Sequence, residues 1–257
     1  MGDPFLQFPA SILLAAAAIT FFAGFVKGAT GFAMPMIMIS GLGSILPAET
    51  ALAILILPTL VSNMFQSFRQ GWRAALAVVR RFWLYIGVMI AVLVVSAVMV
   101  TRVPQTVMFF AIGVPIMLFA VVQLAGAQFR LAPQTRIRDE VMFGTVSGLV
   151  GGVSGVWGPP LVAYLVAIDV EKREAVRTLG VIFAVGAVAL AGAHLRSGVL
   201  NAETIPLSAA ALVPALGGLA LGTRLHDRMP QATFRRVMLG VLAVAGLNLV
   251  RRGFIGM

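Results

Sequence analysis

Lys27 stands between apolar flanks in the segment Gly24-Phe-Val-Lys-Gly28-Ala-Thr-Gly31-Phe-Ala-Met-Pro35. An ionisable side chain inside a membrane segment is costly and marks a functional position by default. The chemistry on offer is anion capture. Lys27 supplies an ammonium, Thr30 a hydroxyl, and the glycines let a ligand approach the backbone with no Cβ in the way. A second segment, Gly148-Leu-Val-Gly-Gly152-Val-Ser-Gly155-Val-Trp-Gly-Pro159, repeats the pattern at an offset of 124. Gly, Val, Gly, Gly and Pro match, Ser154 faces Thr30, and Gly151 replaces Lys27. Each hydroxyl residue is a good N-cap. Each is followed by proline, at Pro35 and at Pro159-Pro160, which a first helical turn tolerates. Two helix N-termini are therefore expected at membrane depth. Their free N–H groups and positive dipole ends would face one shared gap, an anion-binding arrangement. The candidate contacts are Lys27, Gly28, Thr30 and Gly31 from the first segment, and Gly152, Ser154, Gly155 and Trp157 from the second.

Asn63 and Gln66 join this set. They lie three apart on one helical face, just after Pro58, which bends a helix. They serve either as ligand contacts or as interhelical hydrogen bonds. Gly24-x3-Gly28, Gly148-x3-Gly152 and Gly151-x3-Gly155 are also small-residue packing faces, and Trp157 offers either an indole N–H or packing. Lys27 has two readings as well. A re-entrant tip keeps it in the protein interior; two full crossings set it at the inner surface, where its stem snorkels. All nine acidic residues fall in loops or at the ends of apolar runs. Cation carriers and carboxylate proton relays need such a group in the membrane, so the substrate is expected to be anionic or neutral.

The elements that position these residues follow from composition. Of 257 residues, 60% are hydrophobic and 11% charged, with a mean hydropathy of +1.01. A soluble domain carries about 45–50% apolar and about 25% charged residues. A polytopic, all-α membrane protein is expected, with no nucleic-acid partner despite a net charge of +10. The basic residues sit in short loops between apolar runs, where positive-inside charges belong. There are no cysteines, which excludes disulfides and thiolate metal sites. The N-terminus has no basic start and reads as retained rather than as a cleaved signal.

The apolar runs are approximately 10–26, 32–46, 51–67, 82–100, 105–126, 141–153, 156–168, 175–194, 205–223 and 233–250. One helix over residues 10–45 would be about 54 Å long, too long for one crossing of about 30 Å. That stretch must fold back at Lys27 to Gly31, and the second half must do the same at Gly151 to Gly155. Arg69, Arg73, Arg80 and Arg81, then Arg130, Arg136 and Arg138, then Lys172, Arg173 and Arg177, then Arg224, Arg228, Arg235 and Arg236 share one side if each broken stretch returns to the face it left. That places the N-terminus outside, with Arg251 and Arg252 outside against the rule. Each half then holds a Gly/Pro-broken fold-back followed by three crossing helices. The odd number of crossings makes the halves inverted-topology repeats. Arg69-Gln-Gly71 against Arg196-Ser-Gly198 and Pro104-Gln105 against Pro230-Gln231 keep nearly the same offset, 127 and 126. The halves are residues 1–126 and 141–257, joined by a polar cytoplasmic linker, 127–140.

Phe22-x-Gly24-x-Val26-x-Gly28-x2-Gly31-Phe32 with Pro35, and Gly148-x3-Gly152-x2-Gly155-x2-Gly158-Pro159-Pro160-x4-Leu165 with Arg173-x-Ala175, resemble the two repeat signatures of the sulfite exporter TauE/SafE family, the toluene sulfonate uptake permeases. The resemblance covers nearly the whole chain. It implies transport of small sulfur-containing or carboxylic anions (sulfite, sulfonates, sulfoacetate) across the bacterial cytoplasmic membrane. Ala33 and Met34 stand where relatives often carry a further glycine.

Two rivals differ in kind. Gly152-Val-Ser154-Gly155 matches the G-x-S-G element of intramembrane serine proteases, with His194 as the base. Yet the equivalent Gly28-Ala-Thr30-Gly31 has no histidine in its half, so duplication explains the motif better than catalysis. A passive anion channel would use the same gap without alternating access. No G-x4-G-K-[ST] loop is present, so coupling is expected to be secondary. The expected partners are a small anion and the lipid bilayer, with a coupling proton or ion and a homo-oligomer as further options. No cofactor and no metal are expected.

Overall fold

The computed structural model describes residues 8–99, 105–126, 131–154 and 157–255. Among these the secondary structure is helical, with no strand. The first half gives α1 (Ala10–Thr30), α2 (Met34–Leu42), α3 (Ala48–Phe68), α4 (Trp72–Arg81), α5 (Trp83–Met99) and α6 (Gln105–Leu124). A 3₁₀ turn at Pro133–Thr135 leads into α7 (Arg136–Ser154), α8 (Gly158–Ala167), α9 (Lys172–Ser197), α10 (Thr204–Ala210), α11 (Leu212–Arg228) and α12 (Gln231–Ile255). By length and composition Ala10–Thr30, Glu49–Phe68, Thr204–Arg228 and Gln231–Arg251 can each cross a membrane, and α4 with α5 makes a fifth, bent by 73°. The chain is a multi-pass membrane protein. The amphipathic α4, with Arg80 and Arg81 in its last turn, lies outside the expected runs because its apolar residues share one face rather than forming a block.

The described helices form two compact units, and each draws on both halves of the sequence. One comprises Met1–Ala75 and Val176–Met229, the other Leu76–Ala175 and Pro230–Met257.

In the first unit α1 has 21 residues, about 32 Å at 1.5 Å per residue, while the nine residues of α2 give only about 14 Å. The chain turns back between them. A Cβ added at Gly41 would stand 2.6 Å from Ile19 Cγ2, so residues on either side of the break lie side by side. The turn is made by Gly31 at φ 89°, whose N–H bonds Lys27 O. Ala33 follows at φ 73°, a left-handed conformation that costs an L-residue about 1–2 kcal/mol and glycine almost nothing. Met34, Met38 and Leu42 of α2 bury against Ile54, Leu55 and Ile56 of α3 and against Leu207 and Ala215. α1 packs on α11 at backbone contact: a Cβ at Gly24 would collide with the Ala215 carbonyl, and one at Gly28 with the Leu219 carbonyl.

Pro58 lies inside α3. It has no N–H to give the Ile54 carbonyl, and a buried carbonyl left unpaired is costly. Ser208 of α10 supplies the missing donor: its hydroxyl donates to Ile54 O at 3.1 Å and accepts from Leu57 N at 3.2 Å. The carbonyl that Pro58 leaves free is thus served by a side chain 150 residues away in sequence, and α3 runs on through the proline as one helix.

In the second unit α7 packs on α5 in the same way, with a Cβ at Gly148 falling 2.6 Å from Met89 O. α8 folds back on α7, placing the Phe143 and Tyr164 rings 5.3 Å apart. Tyr164 also stacks on Tyr85 at 5.7 Å, whose hydroxyl shares a 2.5 Å hydrogen bond with Ser147. Asp139 and Glu140, expected in an exposed linker, are buried in the first turns of α7. The reason is local pairing. Glu140 accepts from Arg136 at 2.7 Å and from the Tyr85 amide at 3.4 Å, capping α5, and Asp139 accepts from Thr135 at 2.5 Å.

Candidate anion site

Lys27 occupies the last turn of α1 and is 1% exposed. It neither snorkels nor reaches a surface. Its ammonium donates to Asn63 Oδ1 of α3. One turn further along α3, Gln66 Nε2 donates to the Lys27 carbonyl at 3.4 Å, the same oxygen that accepts from Gly31 N at 2.6 Å. The fold therefore brings Lys27, Gly31, Asn63 and Gln66 together. α3 supplies its partners from one face: Thr59, Ser62, Asn63, Gln66 and Ser67 recur at helical spacing, and all five are buried. The sequence signal was there, since the Asn63–Gln66 pair extends to a five-residue stripe. Ser62 and Ser67 bond the Thr59 and Asn63 carbonyls. Thr59 Oγ1, Gln66 Oε1 and Thr178 Oγ1 of α9 are buried without a hydrogen-bond partner.

Above this set, helix ends converge. Val176 and Leu179 of α9 pack on Gly31, His226 of α11 lies with Nδ1 at 3.4 Å from Ala29 O, and Arg69 pairs with Asp227 at 2.6 Å. Arg177 bonds Gln70.

The charge balance is one-sided. Of this unit's described carboxylates, Glu49 and Glu203 are exposed and Asp227 pairs with Arg69. No described carboxylate lies within ion-pair distance of Lys27. A buried ammonium costs several kcal/mol unless it is paired, and one hydrogen bond donated to a neutral amide oxygen returns about 1.5–3 kcal/mol. The negative end of the α1 dipole offsets part of the remainder. Among the described residues, Lys27 thus has a neutral bonded partner and no carboxylate to balance it.

Other expected residues have different places. Thr30 and Ser154 are not N-caps: each is the last residue of its helix, α1 or α7. Thr30 Oγ1 donates back to Val26 O at 2.8 Å, the usual outlet for a hydroxyl within a helix, because Gly31 ends α1 in the left-handed form. The caps of α2 and α8 are Ala33 and Trp157, and neither side chain bonds the first N–H groups. Gly28 faces α11, so its role is close packing. Gly152, Ser154 and Trp157 belong to the second unit; the surroundings of Gly152, the side chain of Ser154 and the whole of Gly155 lie outside what the structure describes.

A family model described as sulfite exporter TauE/SafE matches residues 16–249. No curated protein and no solved structure matches the chain. The paired fold-backs, the membrane-length helices and a match over nearly the whole sequence agree: this chain belongs to the sulfite exporter TauE/SafE family of membrane transporters.

Proposed function

We propose that the chain is a secondary carrier for a small sulfur-containing or carboxylate anion such as sulfite, a sulfonate or sulfoacetate. It would act in the bacterial cytoplasmic membrane with its N-terminus outside, and the anion would take its counter-charge from Lys27. The observation that carries this reading is the fully buried Lys27 Nζ whose bonded partner is the neutral Asn63. Gly31 and Gln66 both bond the Lys27 carbonyl, and the start of α2, which no side chain caps, follows four residues after Thr30.

Alternating access is supported by signs of internal duplication. Helices α1 to α6 and α7 to α12 follow in the same succession. Gly24 packs on Ala215 and Gly148 on Met89, and these pairs correspond at offsets of 124 and 126. Such inverted repeats rock about a central site in known carrier architectures. Pro58, whose missing hydrogen bond Ser208 makes good, marks the point of α3 beside Asn63 where the helix ladder is weakest.

Flux of sulfite and of sulfonates into proteoliposomes tests the reading. The wild-type chain should give saturable flux, and Lys27→Ala should lower it at least tenfold. Unchanged affinity and flux in Lys27→Ala would remove Lys27 from the site.

A further inference from the structure

Gln66 holds an unsatisfied acceptor at the Lys27 site. Its Nε2 donates to the Lys27 carbonyl at 3.4 Å. A carbonyl cannot donate in return, so this contact fixes which end of the amide faces α1. Oε1 is left as a buried acceptor with no partner. The side chain is 4% exposed, and α9 wedges it in place: a Cβ on Gly180 would stand 2.7 Å from Gln66 Cβ.

The neighbouring orphans do not discriminate between ligands. The hydroxyls of Thr59 and Thr178 rotate to donate or to accept, whereas an amide oxygen only accepts and an ammonium only donates. Lys27 has three donors and gives one to Asn63. The site thus combines spare donors carrying one positive charge with one obligate acceptor. A ligand made of oxygens alone satisfies the first and leaves Gln66 Oε1 buried and unpaired. Unmade buried hydrogen bonds are what give sites strong selectivity.

We propose that Gln66 is a specificity-determining residue that selects monoanions bearing a hydrogen-bond donor beside the charge. These are hydrogen oxyanions such as hydrogen sulfite, or hydroxylated sulfonates, in preference to alkyl sulfonates of equal charge. The inference rests on the anion reading of Lys27 given above.

The test compares methanesulfonate with hydroxymethanesulfonate, both monoanions, by calorimetric titration of the detergent-purified full chain. The hydroxylated ligand should bind about tenfold tighter or better, the equivalent of one unmade buried hydrogen bond. Gln66→Met, which keeps length and removes the acceptor, should bring the two within about twofold of each other, a factor worth under 0.5 kcal/mol by the same conversion. A second measurement needs no variant. Across the pH range where hydrogen sulfite loses its proton, wild-type affinity for total sulfite should fall more steeply than that for methanesulfonate, which follows the charge on Lys27 alone. Equal wild-type binding of the two sulfonates, as when a trapped water supplies the donor, would overturn the proposal. So would a preference that survives in Gln66→Met. Failure of sulfite and of both sulfonates to bind at all would overturn the Lys27 anion site along with it, and so is distinguishable from loss of selectivity alone.

Discussion

Replacing Lys27 and Asn63 together by Met and Leu should make the anion-free protein more stable and deaf to anions. Lys27 is 1% exposed, and its hydrogen-bonded partner is neutral. A buried ion costs several kcal/mol even after relaxation. Against this stand about 1.5–3 kcal/mol from the Asn63 bond and up to about 2 kcal/mol from the α1 C-terminal dipole. Exchanging a buried ionic group for apolar residues of like volume typically gains about 1–4 kcal/mol. In a chain of this size each kcal/mol moves Tm by about 2–4 °C, so the middle of that range is a rise of roughly 5–10 °C. Wild type should respond to ligand instead, gaining about 2.7 kcal/mol when the anion is present at a hundred times its Kd. Lys27→Met alone leaves Asn63 Oδ1 unpaired at a cost of about 1–3 kcal/mol, so it should gain less than the double variant. The three tryptophans allow melting to be followed by intrinsic fluorescence in detergent, with and without sulfite. A double variant that melts below wild type in anion-free buffer, or that is still stabilised by sulfite, would refute the reasoning.

Further outcomes are expected for single substitutions and one double variant. Gly28→Ala should destabilise by about 1–3 kcal/mol, the usual cost of overpacking, since its methyl would meet the Leu219 carbonyl and stand 2.7 Å from Thr223 N. Gly240→Ala, which has nothing within 4 Å, should be neutral or stabilising in the same melting assay. Ala33→Gly should raise stability by about 1 kcal/mol by relieving the left-handed backbone; a loss of stability would mean that the Ala33 methyl contributes more in packing than the strain costs. Ser208→Ala should cost about 1–3 kcal/mol by unpairing Ile54 O. Adding Pro58→Ala, which restores an N–H for Ile54 O, should recover part of that loss. Strict additivity in this double-mutant cycle would sever the link between Ser208 and Pro58.

Much of this architecture was legible in the sequence because the bilayer constrains it. Apolar run lengths fixed the helices, and glycine with proline marked both fold-backs, which the Gly41–Ile19 and Phe143–Tyr164 contacts bear out. The misplaced details have local causes. Thr30 was given an N-cap role, but Gly31 is an equally strong helix stop, and the stop signal won. Asp139 and Glu140 look like linker residues until Arg136, Thr135 and the Tyr85 amide are seen to pair them. The spacing of Asn63 and Gln66 puts both on one face of α3, and that face meets α1. Ser208 gave no such signal, because its partners Ile54 and Leu57 lie far away in sequence and the demand for a donor arises only from Pro58 in the folded chain. The unpaired state of Gln66 Oε1 was equally hidden, since it depends on the Lys27 carbonyl fixing the amide's orientation.

The most direct measurement is a structure of the full chain with selenite bound, using the anomalous signal of selenium to locate the anion. The account expects one strong peak beside Lys27, with an attached oxygen about 2.7–2.9 Å from Nζ, the distance of a charge-assisted hydrogen bond. A peak elsewhere, with Lys27 still buried against Asn63 and no anion near it, would contradict the account.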